Sequence, residues 1–594
     1  MQFISRVRQI SPLPRLLPSG FPVRRGSSTA SVVEYLTGRL CAGTPTRNDP
    51  RVQTPPGKPA NHAQTQNTEG ATEPMSWLPE VEEIERRKQF AYKLGGKDGV
   101  DRQHNQGKLT IRERVEGLVD PGSWREIGAL TGSATYGKDG QLEDVKPSNA
   151  VIGTGRLDGR KVAIDGDDYT NRGGSSEATV SEKWIYADQW AHEMNIPLVR
   201  LVESAGGSVR LVEKMGHTKI PGYPTWPMGL LLGKVPVIGL ALGPCAGLGA
   251  LKAACAHFSI MVKDTSQVFA GGPPVALEAG MSGTRVDKDD LGGWKIHTEM
   301  SGVIDNAAAS EEDAFAQARR WLSYMPNSVY ELPPVIECND PVDRREEELI
   351  SVIPRDRRKI YNPRRIIDLV FDKDSVFEVT PKFGRSTVTC LARLNGHPVG
   401  VLANDPRFFG GGMNRSAAEK FETFIDICDT FHLPIINLVD QPGTVVGVDA
   451  ERQGNVRKAV RVLTAIEQTQ VPWCAVVVRR LFGLAGNCYG RMQGLNYHVA
   501  WPSATWGSIP FEGGIMAAYR RELDGLPEEE RNQRLEELET YYSRLSSPFL
   551  TAERFRVPDV IDPRQTREVL WNWLEDAWKT LPGQLGPVKR SMRK

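Results

Sequence analysis

The chain has 594 residues, too many for one hydrophobic core, so two or three domains are expected. With 40% hydrophobic and 25% charged residues it has an ordinary globular composition, and a net charge of +1 leaves no global field to draw it to nucleic acid. No apolar run approaches the roughly 18 residues that a membrane span needs. The eight cysteines (positions 41, 245, 255, 338, 390, 428, 474 and 488) include no CxxC pair, which argues against a zinc ribbon and a disulfide framework. Cys245, Cys255, Cys390, Cys428 and Cys474 lie in apolar or small-residue stretches and read as reduced core thiols.

Residues 1–33 carry Arg6, Arg8, Arg15, Arg24 and Arg25, several serines and no acid before Glu34. That is the composition of a transit peptide and points to the mitochondrion, with a basic tail on a cytoplasmic protein as the alternative. Residues 34–77, rich in Pro, Thr, Asn, Gln and Gly, read as a disordered linker. A charged helix starts near Leu78, Thr110 caps another, and Pro121-Gly122 turns the chain after it. Val151–Ile164 reads as a hairpin around Asp158-Gly159. A long helix over Ala178–Met194, a strand over Pro197–Glu203 and the turn Ser204-Ala205-Gly206-Gly207 follow.

The next stretch organises the rest. Val235–Leu242 is a continuous apolar run with β-branched residues and reads as a buried strand. After Gly243-Pro244, the small residues from Cys245 to Ala250 open a helix that is expected to run through Ala256. A strand feeding a helix through glycines leaves main-chain N–H groups without acceptors, and the helix dipole favours negative charge there. Such a site can hold an oxyanion with no charged side chain, although a tight turn kept for packing needs the same small residues. Two short strands are expected within Phe258–Phe269, then the pair Gly271-Gly272, and a helix over Glu311–Met325 closes the first half. A second half begins near Asn362, carries a charged helix over Leu526–Ser546 and ends in an amphipathic helix.

The pattern occurs twice. Arg156-Leu157-Asp158-Gly159 matches Arg393-Leu394-Asn395-Gly396, and the strand from Pro197 matches the strand from Pro434, both 237 residues on. Val235-Pro236, ending in Gly247-Leu248, matches Val471-Pro472, ending in Gly483-Leu484, 236 residues on. Three blocks in register argue for two copies of one α/β domain. Elsewhere, His297 reads as a histidine bonded to main chain or as a contact near a ligand. Arg479-Arg480 read equally as an anion site or as salt-bridge partners, and Lys263-Asp264 as a turn.

The motifs GKLTIRER, GGSSEA, SAGG, GPCAG, MVKDTS, LGGWKIHTEMSGV, CDTFHLPIINLVDQPG, AWPSA and DVIDPRQTR, spread over residues 78–575, carry a family resemblance. The chain resembles the carboxyltransferase (β) subunits of biotin-dependent acyl-CoA carboxylases, such as those acting on propionyl-CoA, acetyl-CoA or methylcrotonyl-CoA. The resemblance implies two tandem crotonase-like (ClpP/crotonase) domains related by duplication. The acyl-CoA half would span 78–335 and the carboxybiotin half 336–594, with the active site between halves of different subunits of a homo-oligomer. It implies oxyanion-type backbone amides at Gly247 and Leu248 and at Leu484 and Ala485. Gly206, Gly207, Gly271, Gly272 and Asn487 would line the substrate.

Carboxyl transfer of this kind passes through a thioester enolate and leaves charge on the ureido oxygen of biotin. Each oxygen needs fixed donors, worth about 2.7–4 kcal/mol apiece. Biotin would arrive on a partner carrier chain, because this chain has no AMKM-type lysine segment and no GK[ST] phosphate loop, so a biotin carboxylase/carrier subunit is the expected partner. The CoA thioester is the expected substrate, and no bound metal, nucleic acid or membrane is expected. Leu248 and Leu484 stand where many members have glycine, Gln441 and Thr444 replace the usual Val and Phe, and Asn487 replaces a frequent acid. Two rival readings remain at this point: a biotin-dependent decarboxylase running the same half-reaction backwards, and a non-catalytic scaffold subunit of the same fold.

Overall fold

A computed structural model describes residues 76–278 and 286–589. The predicted transit peptide and all of the predicted linker except Ser76 and Trp77 lie outside the described residues. In chain order the first half contributes β1 (Arg125–Ile127), an outlying hairpin of β2 (Gly132–Tyr136) and β3 (Leu142–Pro147), β4 (Ala150–Leu157) and β5 (Arg160–Asp167). It continues with β6 (Leu198–Ser204), β7 (Val237–Ala246), β8 (Phe258–Val262), β9 (Gln267–Phe269) and β10 (Asn306–Ala308). The second half supplies β11 (Phe377–Glu378), β12 (Thr387–Leu394), β13 (His397–Asn404), β14 (Ile435–Gln441), β15 (Trp473–Phe482), β16 (Tyr497–Ala500) and β17 (Thr505–Gly507).

The two sheets repeat one topology. The first runs β1-β4-β5-β6-β7-β8-β10 with β9 beside β7, and the second runs β11-β12-β13-β14-β15-β16 with β17 beside β15. Each begins with antiparallel pairs and continues with parallel ones. The register repeats as well: Ala163 pairs with Leu198 as Gly400 pairs with Ile435, and Leu198 pairs with Val237 as Ile435 pairs with Trp473. Even the irregularity is duplicated, between Val202 and Ser204 in one sheet and between Val439 and Gln441 in the other. Both hairpin turns put two residues at positive φ, Asp158-Gly159 and Asn395-Gly396, as a two-residue turn between twisted strands requires.

Local signals set the element ends. Thr110 accepts the Glu113 N–H while the Glu113 carboxylate accepts the Thr110 N–H, a full capping box on the helix Ile111–Leu118. The expected long helices are Ser181–Met194 and Glu311–Leu322, each trimmed at one end, and Glu528–Leu545, trimmed at both. The organising strand differs more: it starts at Val237 and passes through Gly243-Pro244 to Ala246. Beyond the bulge its partner changes, so Pro244 pairs beside Gln267 of β9 and the proline falls where the ladder is being exchanged. The helix that follows, Leu248–Ala254, stops two residues short of Ala256.

The halves share a core. One continuous apolar cluster joins Val199, Leu240, Phe258 and Trp321 of the first half to Leu402, Phe424, Phe431 and Trp473 of the second. Phe258 meets Phe377 edge-on at 5.6 Å between centroids, and Trp321 meets Phe431 at 6.5 Å. Cys245, Cys390, Cys428 and Cys474 are buried free thiols, while Cys255 is only half-buried. Among the described residues no helix is long and apolar enough to cross a membrane. At the seam, Asn306 of β10 donates to the Glu378 carbonyl of β11 (3.3 Å) and accepts from the Thr380 N–H (2.9 Å). Asn306→Ala is expected to lower the denaturant-derived stability by about 1–3 kcal/mol, because it leaves the buried Thr380 N–H without that acceptor; an unchanged unfolding midpoint would contradict this role for the seam.

Candidate active site

In the first half, Gly247 ends β7 at φ 55° and ψ −113°, a conformation that a side chain would strain, and Leu248 is the first helical residue. The Gly247 N–H donates to the Phe269 carbonyl at 3.1 Å, so it holds β9 in place. Among the described residues the Leu248 N–H meets no acceptor, which makes Leu248 rather than Gly247 the candidate donor here. The Leu248 side chain is half-buried and packs against a cluster of Ala150, Trp184 and Ile185, on which Tyr223 and Trp226 also rest. Gly206, at φ 82°, passes so close to the Ala246 carbonyl that a Cβ would lie 2.8 Å from its oxygen. Gly207 beside it opens onto free space, and Gly271-Gly272 follow directly on β9.

The second half repeats the arrangement. Gly483 turns the chain at φ 66° after β15, and Gly443, the counterpart of Gly206, lies against it with its Cα 3.8 Å from where a Gly483 Cβ would be. Leu484 and Ala485 follow in the first helical turn, and among the described residues neither N–H meets an acceptor. Leu484 is 47% exposed, Ala485 is buried, and Asn487 is exposed at the end of the same turn. Each turn glycine is capped from two residues back: Gly206 N–H donates to Ser204 Oγ (3.1 Å) and Gly443 N–H to Gln441 Oε1 (2.9 Å). Gln441 thereby does in the second copy what Ser204 does in the first.

Behind each turn sits a fully buried carboxylate at matching positions, Glu203 and Asp440. Glu203 is held by Lys108, by Arg114 at 2.7 Å and by Gln103 at 2.6 Å, and Arg114 also pairs with Glu311. A Cβ on Gly243 would overlap the Glu203 carboxylate, which is why the strand needs glycine there. Asp440 accepts from Arg480 Nε at 2.6 Å and from the Tyr361 hydroxyl at 3.1 Å, and Arg480 reaches on to the Gly410 carbonyl. Arg479 donates to the carbonyls of Lys359 and Arg357. Of the two readings of Arg479-Arg480, Arg480 is the salt-bridge partner, while Arg479 bonds main-chain carbonyls instead. His297 bonds the Val268 carbonyl through Nε2 (2.6 Å), and burial pushes its pKa down, so it is the main-chain-bonded histidine.

Residues 102–591 match the family described as "Carboxyl transferase domain". The chain belongs to it. It is 34% identical over 502 residues to the propionyl-CoA carboxylase carboxyltransferase subunit of Haloferax mediterranei, covering 84% of this chain and 95% of that one. It is 32% identical over 493 residues to the human mitochondrial propionyl-CoA carboxylase beta chain, covering 82% and 88%. Among solved structures it resembles transcarboxylase 12S, described as a hexamer assembly with methylmalonyl-coenzyme A and methylmalonic acid bound. The TM-score is 0.76 at 30% identity, with 87% of this chain and 97% of that chain covered. The chain is thus a carboxyltransferase subunit of the biotin-dependent acyl-CoA carboxylase type, with the two-domain crotonase-like fold.

Within that family frame the two copies have diverged. A cavity of about 250 Å³ opens beside the second helix start, where Gly483, Asn487, Tyr489, His498, Trp506 and Arg556 line it. Around the register-equivalent first-half residues Ala241, Cys245 and Val268 lies an apolar cluster that includes Ile304, with Trp294 packed against it. The first half instead carries a buried charge network. Lys252, one turn beyond Leu248, bonds Asp165 (2.8 Å) and Asp167 (2.9 Å) and lies 5.5 Å from the Trp184 ring, while Arg200 pairs with Asp188 at 2.7 Å. Burial raises the Asp165 pKa even with Lys252 beside it. The second-half counterparts of Lys252, Asp165 and Asp188 are Cys488, Leu402 and Ile425. Among the described residues no group of three His, Cys, Asp or Glu is placed to hold a metal ion.

The carboxylates Glu203 and Asp440 went unnoticed in the sequence, although the aligned strand ends LVRLVES and IINLVDQ carried the signal. The Lys252 network offered less, a single lysine in a small-residue helix. Lys252→Met would leave Asp165 and Asp167 buried without their cation and is expected to cost about 3–5 kcal/mol. Double substitution with Asp165→Leu should recover part of that loss in a denaturation series; equal stability of the single variant and wild type would contradict the clamp.

Proposed function

We propose that this chain moves the carboxyl group of carboxybiotin, carried on a biotin carboxylase/carrier partner, to the α or vinylogous carbon of an acyl-CoA. The reading rests most on one observation: the same strand–glycine–helix start is built twice, at register-equivalent positions, each with first-turn amides that lack an acceptor among the described residues. In the first half the Leu248 N–H receives the thioester oxygen as it gains enolate charge, with Gly206, Gly207, Gly271 and Gly272 letting the substrate approach the main chain. In the second half the Leu484 and Ala485 amides face the ureido oxygen. The cavity beside them, with aromatic walls at Tyr489 and Trp506 and with Arg556 at its lining, suits a flat polar ring. Carboxybiotin supplies the activated carboxyl group; this chain orients the acceptor and stabilises the charge on oxygen.

Propionyl-CoA is the first acceptor to test, since both named relatives carry that substrate in their names. Asn487, exposed at the edge of the second cavity, is the residue proposed to modulate acyl choice. The mature protein is proposed to be a mitochondrial homo-oligomer. The basic, acid-free composition of residues 1–33 and the mitochondrial human relative support the location, and the hexameric transcarboxylase 12S supports the assembly.

Proline within the first turn of a helix, at the first position for Leu248 and the second for Leu484, removes a single N–H that has no intrahelical partner. Leu248→Pro and Leu484→Pro are each expected to lower kcat by about 10²–10³ while leaving circular dichroism unchanged. The measurement is carboxylation of a panel of CoA thioesters with a biotinylated partner chain supplied. Full activity in both variants would remove these amides from the mechanism. Absence of acyl-CoA binding by calorimetry in the unaltered chain would favour the scaffold reading.

A further inference from the structure

The connection between the halves carries a short basic segment, Arg355–Lys359, in which Arg355, Arg357, Arg358 and Lys359 are all exposed. Among the described residues none of the four has an ion-pair partner. The one acid among them, Asp356, accepts the Arg358 N–H at 2.9 Å. The Arg357 guanidinium donates to the Ser543 hydroxyl of the helix Glu528–Leu545, at 3.4 Å. Arginines of the surrounding surface are paired: Arg345 with Glu568 (3.0 Å), Arg365 with Glu348 (2.5 Å) and Arg564 with Glu347 (3.0 Å). With a net charge of +1 over the whole chain, the segment is a local excess and not a sample of a basic protein.

Its side chains stand in water, but its backbone is fixed. The buried Arg479 donates to the Lys359 carbonyl at 3.1 Å and to the Arg357 carbonyl, and the buried Tyr361 hydroxyl donates to Asp440 at 3.1 Å. These bonds anchor the segment beside the second helix start. Arg479 lies four residues before Gly483, about 13 Å along an extended strand, and Leu481, Phe482 and Gly483 line the 250 Å³ cavity. Like charges held this close repel one another, and an anionic surface laid over them removes that cost. At physiological salt their field reaches only about 8 Å. It therefore acts on a body that lands beside the cavity, and not on a small ligand inside it.

We propose that Arg355–Lys359 is the docking surface for an acidic face of the chain that carries carboxybiotin, an inference that rests on the carboxyl-transfer reading above. A small folded domain is about 30 Å across, so one that delivers its biotin to the cavity has the reach to cover the segment as well. The cations steer the carrier in and set its orientation, and they take no part in the transfer itself. The fixed backbone presents them in one arrangement, so little ordering cost falls on the encounter.

The test compares two acceptors for the carboxyl group of methylmalonyl-CoA: the biotinylated partner chain and free biotin. In the full chain, Arg355→Gln with Arg358→Gln is expected to raise KM for the partner chain about threefold, and Arg355→Glu with Arg358→Glu about tenfold. Raising the salt should increase the partner KM of the unaltered chain more steeply than that of either variant. kcat, the KM for free biotin and the circular dichroism should stay unchanged. An unmoved partner KM, or an equal loss with free biotin, overturns the docking surface. So does retardation of an RNA duplex that the same variants abolish while the partner KM stays put. No transfer to either acceptor by the unaltered chain would instead defeat the carboxyl-transfer reading, and the docking surface with it.

Discussion

Everything in the two halves is arranged to hold a glycine at positive φ between a central strand and a short helix. Gly247 and Gly483 turn the chain at positive φ, and among the described residues the Leu248, Leu484 and Ala485 amides that follow meet no carbonyl. Such unmet donors cost free energy in a folded protein unless something outside the chain satisfies them. The surrounding structure is built to carry that cost. Gly206 and Gly443 brace the turns from one side, β9 pins Gly247 through Phe269, and the buried carboxylates Glu203 and Asp440 tie the strand ends to distant elements.

Duplication explains why the same solution appears twice, and divergence explains why the two sites differ. The register, the bulge and the capping of the turn glycine have survived, with Gln441 replacing Ser204 as the cap. What has changed lies around the helix. The first copy holds a buried lysine between two aspartates and packs Leu248 against the cluster that contains Trp184. The second has Cys488, Leu402 and Asn404 at the corresponding positions and keeps a cavity beside Asn487.

The shared core constrains how independent the halves are. Phe258, Trp321, Phe377 and Phe431 form one aromatic contact chain across the seam, and Asn306 and Thr380 join the facing edge strands. A substitution in either half is therefore felt through the same packed interior.

Hydrophobic periodicity, turn residues and the 237-residue repeat were enough to expose two α/β units and the strand-to-helix turns at Gly247 and Gly483, because those signals are local and the chain states them twice. The hairpins at Asp158-Gly159 and Asn395-Gly396 and the Thr110 cap were legible for the same reason. Only the tertiary structure decided that the Gly247 amide is consumed by Phe269, that Leu248 packs against the cluster containing Trp184, and that Arg480 pairs with Asp440 while Arg479 bonds main-chain carbonyls. It alone placed Lys108, Arg114 and Gln103 around Glu203, and Lys252 between two aspartates. Each of those facts depends on residues tens to hundreds of positions apart becoming neighbours, and a buried charge reveals its role only when its counter-charge is in place.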